Sequence, residues 1–147
     1  MSASETTSAP FSIDLTFVMA SHPCYLPVVR AAVGQLAAMV VWDESASTAI
    51  TMAVDEALAN VIRHAYHGRN DGRIELDCRV AGDELQFRIQ DSGDAPDPAR
   101  ICSRAVGCDQ AGGLGTHIIR DVMDTVSYQS SPEGNRLTAA KRLRRQG

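Results

Sequence analysis

The chain has no Cys-x-x-Cys pair and no histidine at zinc-ligand spacing from a cysteine, which removes the structural zinc modules. Its cysteines, Cys24, Cys78, Cys102 and Cys108, are scattered. That is the pattern of buried or free thiols in a reducing cytosol, with Cys102 and Cys108 alone near enough in sequence to form a redox pair. Positive charge is not in excess: the formal net charge is -4, which argues against a groove that tracks nucleic-acid phosphates. Met1 to Pro10 lacks the basic segment and apolar run of a signal peptide. The apolar run that contains Ala37 to Trp42 is far short of a bilayer. No Gly-Lys-Ser/Thr occurs, so the lysine-based Walker A phosphate loop is absent. A protein or small-molecule partner, with no direct nucleic acid and no membrane, is what these absences leave.

What is present is 147 residues with 44% hydrophobic content, enough for one domain with a proper core and too few for two ordinary ones. The Ser/Thr/Ala-rich residues 1–10 are expected to be a disordered tail, 11–143 a single domain and 144–147 a frayed basic end. Phe11, Ile13, Leu15 and Phe17 alternate with polar residues, predicting a half-buried edge strand over Phe11 to Met19. Val29, Val33, Leu36, Ala37 and Val40 recur at helical spacing across Val28 to Trp42, weakened by Gly34. Asp43, Ser45 and Ser47 are candidate caps for the next helix. There Ile50, Val54, Ala57, Leu58, Val61 and Ala65 repeat at three- and four-residue steps. The turn-rich His67 to Gly72 ends it.

Beyond that turn, Ile74, Leu76, Cys78 and Val80 alternate with polar residues, Ala81-Gly82-Asp83 turns, and Leu85, Phe87 and Ile89 alternate again, predicting a hairpin. Pro96 to Ala111 has no sustained period and reads as a functional loop. A helix over Leu114 to Met123, a strand over Thr125 to Ser130, a turn at Pro132-Glu133-Gly134-Asn135 and a strand over Arg136 to Leu143 complete the chain. The order predicts an α+β fold, a two-layer sandwich with helices on one face of a mostly antiparallel sheet.

Three places carry candidate chemistry. Glu56 and Asn60 lie off the apolar face of the central helix, roughly 40° apart and one turn from each other, and Arg63 and His67 continue the strip. A solvated helix face would look the same. Asp91 is in step with Leu85, Phe87 and Ile89, so its carboxylate points where they point and needs a donor there; a turn-forming Asp-Ser-Gly is the plainer account. Gly112, Gly113 and Gly115 precede a helical pattern, and such an entry presents backbone N–H groups and the positive dipole end to an anion. A loop with flexible glycines is the alternative.

In their order and spacing, Glu56 with Asn60, Asp91-Ser92-Gly93 and Gly112-Gly113-Leu114-Gly115 resemble the N, G1 and G2 boxes of the GHKL ATPase superfamily, and within it the stand-alone anti-sigma-factor serine kinases of the RsbW and SpoIIAB group. The resemblance covers the chain from about Phe11 to Leu143. It implies the Bergerat ATPase fold, ATP and Mg²⁺, with Glu56 as the catalytic base, Asn60 as the metal ligand and Asp91 as the reader of the adenine amine. Gly93 would let the backbone approach the ring, and Gly113, Leu114, Gly115 and Thr116 would hold phosphate. His64 would assist at the nucleotide, and Thr138 would hold adenine from the last strand. Where many members carry a second glycine after Asp-x-Gly, this chain has Ala95. The implied activity is cytoplasmic serine/threonine phosphorylation of a STAS-type anti-sigma-factor antagonist. A sigma factor would be the second partner, regulated by partner switching, and two copies would pair as a homodimer. The rival readings are an ATP-binding interaction module without phosphoryl transfer and a plain ATPase.

Overall fold

The computed structural model describes residues 12–41, 43–95 and 114–143. The tail at 1–10, the loop from Pro96 to Ala111 with its cysteines, Gly112, Gly113 and the basic end at 144–147 lie outside the described residues. The elements run β1 (Ile13–Ala20), α1 (Leu26–Val40), α2 (Glu44–Asn60), β2 (Arg73–Ala81), β3 (Glu84–Asp91), α3 (Leu114–Val122), β4 (Thr125–Ser131) and β5 (Gly134–Arg142). A 3-10 turn, Pro23–Tyr25, leads into α1, and a π turn, Val61–Ala65, extends α2.

The strands form one antiparallel sheet in the order β1-β2-β3-β5-β4, with β1 at an edge. The two central strands explain why. In β2, Ile74, Leu76, Cys78 and Val80 are fully buried, and in β3 so are Leu85, Phe87 and Ile89, because period-2 alternation sends them all to one face. That face meets Ile50, Ala53, Val54, Ala57 and Leu58 of α2, and α2 in turn packs against α1 and α3. The opposite face is polar and self-paired: Asp14 with Arg79, Arg88 with Asp77, and Arg73 with Glu75.

Local chemistry fixes the element ends. Asp43 caps α2 by accepting from the Ser45 N–H at 3.0 Å. Burial of the Cys78 thiol, with the Asp77 carboxylate beside it, pushes its pKa up to about 12, so it is an inert core group. The edge strand departs from strict alternation, since Leu15 is 46% exposed although it falls in step with buried Ile13 and Met19. The stretch Pro23–Val40 is long and apolar enough by length and composition to cross a bilayer. Here it packs by one face only: Val29, Val33, Leu36 and Ala37 are buried, Val28 and Met39 are exposed, and Arg30 lies 3.2 Å from Asp55 of α2.

Candidate active site

The site grows from the place where α2 ends and β3 ends beside it. Val61–Ala65 closes as a π turn, in which the Tyr66 N–H donates to the Val61 carbonyl at 3.1 Å. Such wide turns interrupt α-helices mostly where a function asks for a redirected side chain. The chain then leaves through His67, which has a φ of 53°. Arg63 donates to Asn60 Oδ1 at 2.6 Å and its guanidinium lies 3.8 Å from Glu56 Oε2. Glu56, Asn60 and Arg63 therefore form one cluster, as the helical strip predicts. His67 is elsewhere: its ring pairs with Asp94 Oδ2 at 2.8 Å. His64 belongs to the π turn itself.

Tyr66 joins the helix end to the loop after β3. Its ring is buried, and its hydroxyl donates to the Arg73 carbonyl at 2.6 Å while accepting the Ser92 N–H at 2.8 Å. Next to it the Asp94 N–H donates to the Ala65 carbonyl at 2.8 Å. A Cβ on Gly93 would strike that same carbonyl, so the glycine is required by the approach of loop to helix.

Asp91 is 7% exposed. Its Oδ1 accepts from the Gly93 N–H at 2.9 Å and from Asn135 Nδ2 at 2.8 Å. Burial raises its carboxyl above the usual 3.8, and the donors from Asn135 and Gly93 pull it partly back. Asn135 also donates to the Gly93 and Asp94 carbonyls, at 3.3 and 3.1 Å, and its Oδ1 accepts from Ser130 at 2.7 Å. Tyr128, on the same face by register, has its phenol pushed up to about 12 by burial and by the Asp91 charge.

Strand parity corrects one expectation. Asp91 is paired with Asn135, whereas Thr138 is paired with Arg88, whose side chain binds Asp77 on the open face. Thr138 thus faces away from Asp91, and Asn135 is the β5 residue beside that carboxylate. The signal was legible: Leu137 and Ala139 are the apolar positions of β5, so residues of their parity face the helices. The chain turns more tightly than expected because Gly134, with a φ of 140°, sits where a Cβ would hit the Asp91 carbonyl. Strand β5 accordingly begins at Gly134 rather than Arg136. Tyr66 and Tyr128 were likewise without an assigned role.

Gly113 lies outside the described residues, and Leu114, Gly115 and Thr116 form the start of α3, which packs on α2. A polar cavity of about 320 Å³ lies at the end of the sheet, lined by Glu75, Gln90 and Arg136 of the open face together with Asp91, Gly134 and Asn135. Glu56 and Asn60 are not among its walls. Among the described residues no group of three or more His, Cys, Asp or Glu could hold a metal ion. A cation at Asn60 would therefore depend on oxygens that a ligand brings with it.

The buried, amide-held carboxylate of Asp91 and the end of α2 are tied together through the loop after β3, by Tyr66 and Ala65. Residues 19–141 match the histidine kinase-like ATPase domain, and the chain belongs to that family. It is 33% identical over 101 residues to the serine/threonine-protein kinase BtrW of Bordetella bronchiseptica, covering 66% of this chain and 71% of that protein. It is 29% identical over 120 residues to the serine-protein kinase RsbW of Listeria innocua, covering 76% of each. An anti-sigma F factor of Oceanobacillus iheyensis is 30% identical over 93 residues, 58% of this chain and 62% of that protein. Among solved structures, the RsbU and RsbW domains of Rv1364c from Mycobacterium tuberculosis superpose with a TM-score of 0.67 at 20% identity, over 92% of this chain and 34% of that one. That likeness is one of fold.

Proposed function

We propose that this chain is an ATP-dependent protein serine/threonine kinase of the anti-sigma-factor type. One observation carries the reading: in a chain 33% identical to a serine/threonine-protein kinase, a buried carboxylate with amide donors on one oxygen stands across a short loop from a helix end bearing Glu56 and Asn60. Asp91 accepts the exocyclic amine of adenine, a hydrogen bond that is strongest when the carboxylate is ionised and acts as acceptor only. Asn60 would offer its amide oxygen to a magnesium ion brought by the triphosphate, and that ion would supply positive charge at the phosphate oxygens. A neutral ligand suits that task, since the phosphates supply the negative charge.

Glu56, one turn earlier on α2, accepts the proton of the attacking serine or threonine hydroxyl. The new bond forms between that oxygen and the γ-phosphorus, the bond to the β,γ-bridging oxygen breaks, and ADP leaves. Gly113, Leu114, Gly115 and Thr116 hold phosphate through the N-terminal end of α3, and His64 borders the same space. Gly93 keeps the base-reading loop against the helix.

The acceptor is a small STAS-type antagonist, and the second partner a sigma factor; phosphorylation switches between them by adding charge at a protein interface. A cytoplasmic setting and the pairing of two copies along the open edge of β1 belong to the same reading. The test uses ATP labelled at the γ-phosphate and a co-purified antagonist. Wild type should label the antagonist. Glu56→Ala should bind ADP within about twofold of wild type and lose about 10²–10⁴ in transfer rate, the usual worth of a general base. Nucleotide binding by wild type without label on any antagonist would leave an ATP-binding interaction module instead.

A further inference from the structure

Asn135 is almost completely buried at 3% exposure, yet it is a carboxamide in a row otherwise given to core residues. Its amide has one self-consistent orientation. Nδ2 faces three acceptors, Asp91 Oδ1 and the carbonyls of Gly93 and Asp94, while Oδ1 meets the Ser130 hydroxyl. Flipped, its oxygen would stand against a carboxylate and two carbonyls, a costly arrangement in a buried site.

The consequence falls on Asp91. The torsion that turns a carboxylate about its own axis is broad and has little preference of its own. Two donors on Oδ1, one from the backbone and one from Asn135, pin that rotation and leave Oδ2 as the oxygen neither of them holds. The same donors oppose the burial that disfavours the charge.

From this geometry we infer that Asn135 is the positioning residue that sets base selection: it turns the Asp91 carboxylate so that Oδ2, the oxygen those two donors leave, meets an amino group on the purine and rejects a carbonyl there. The inference rests on the reading of Asp91 as the base-reading group. It goes further by locating the selectivity in a side chain of the last strand, 44 residues away in sequence. Asn135 acts through Asp91 and needs no contact with the nucleotide.

Adenosine and inosine diphosphates are the probes, because they differ at the position the carboxylate reads, amine in one and carbonyl in the other. Binding is measured by calorimetry on the full chain, with a thermal melt to establish folding. Wild type should prefer ADP over IDP by about 100-fold, the worth of one charge-assisted hydrogen bond against an acceptor–acceptor clash. Asn135→Leu keeps the volume and removes the donor; its ADP to IDP ratio should fall below about tenfold, chiefly through lost ADP affinity. A residue that only held the loop together would weaken both diphosphates equally and leave the ratio where it was. An unchanged ratio in a folded Asn135→Leu therefore overturns the inference. Should that variant not fold, Asn135→Ala decides by the same criterion. Wild type that binds both diphosphates equally would instead remove the Asp91 reading, and this inference with it.

Discussion

The two ends of the site are built differently. Around Asp91 the contacts are buried or half-buried and shared among elements: β3 supplies the carboxylate, β5 the amide that holds it, β4 a hydroxyl on that amide, and the helix end a tyrosine on the neighbouring Ser92. At Glu56 the contacts are few and wet, since the Arg63 side chain is 54% exposed and that of Glu56 37%. Buried polar networks rigidify only when fully satisfied, whereas exposed ion pairs hold little. On the proposed reading this is a division of labour, with the end assigned to the base assembled by folding and the end assigned to phosphate completed by what binds there.

The largest expected effect breaks the rigid end. Asp91→Asn replaces the acceptor by a group that also donates, and ADP affinity should fall about 100-fold or more by calorimetry. Stability should move the other way. The folded carboxyl titrates above the usual 3.8, so between 3.8 and its folded pKa the native chain holds more proton than the unfolded one. The free energy of unfolding therefore falls as pH rises through that window. Asp91→Asn escapes this penalty. Its stability relative to wild type should grow from pH 4 upward and level off above the folded pKa, as read from urea midpoints across that range.

Tyr66→Phe sharpens the same end while sparing its packing. The ring stays, and the Ser92 N–H and the Arg73 carbonyl lose their partner; about 1–3 kcal/mol of unfolding free energy should go, measured by urea denaturation, with ADP binding weakened. Arg63→Met probes the wet end, where the ion pair is exposed, and the change in unfolding free energy should stay below about 1 kcal/mol. A larger loss would mean that the phosphate end is as built-in as the base end, and the contrast would fail. Outside the site, Gly34 in α1 has ordinary room for a methyl, the nearest atom being Thr51 Oγ1 at 3.7 Å. Gly34→Ala should add about 0.5–1 kcal/mol, visible as a higher melting temperature with ADP affinity unchanged.

The fold was largely legible because its two central strands and its central helix follow unmixed periods. Ile74 to Val80 and Leu85 to Ile89 alternate without exception, and the helix-side burial follows residue for residue. The π turn was hidden because Val61, Ile62 and Ala65 also satisfy α spacing, so nothing in the hydrophobic pattern marks the extra residue. Asn135 was hidden for a different reason: it follows Pro132-Glu133-Gly134, and turn chemistry masked the first residues of a strand. Counting parity back from Leu137 and Ala139 places it on the Asp91 face and moves Thr138 off. The sides on which Glu56, Asn60 and Asp91 lie were legible from spacing, since helix turns and strand alternation translate directly into sides, while the roles proposed for them came only with the resemblance.

Because Asp91 is steered by an amide from β5, and Gly134 beside it leaves just enough room for the Asp91 carbonyl, a growing chain acquires its base-reading geometry only when the final hairpin docks. A nascent or shortened polypeptide ending before residue 134 would have its carboxylate in place along β3 and only the Gly93 N–H to aim it. If Asp91 reads the base as proposed, affinity for adenine nucleotide would report that the sheet is finished.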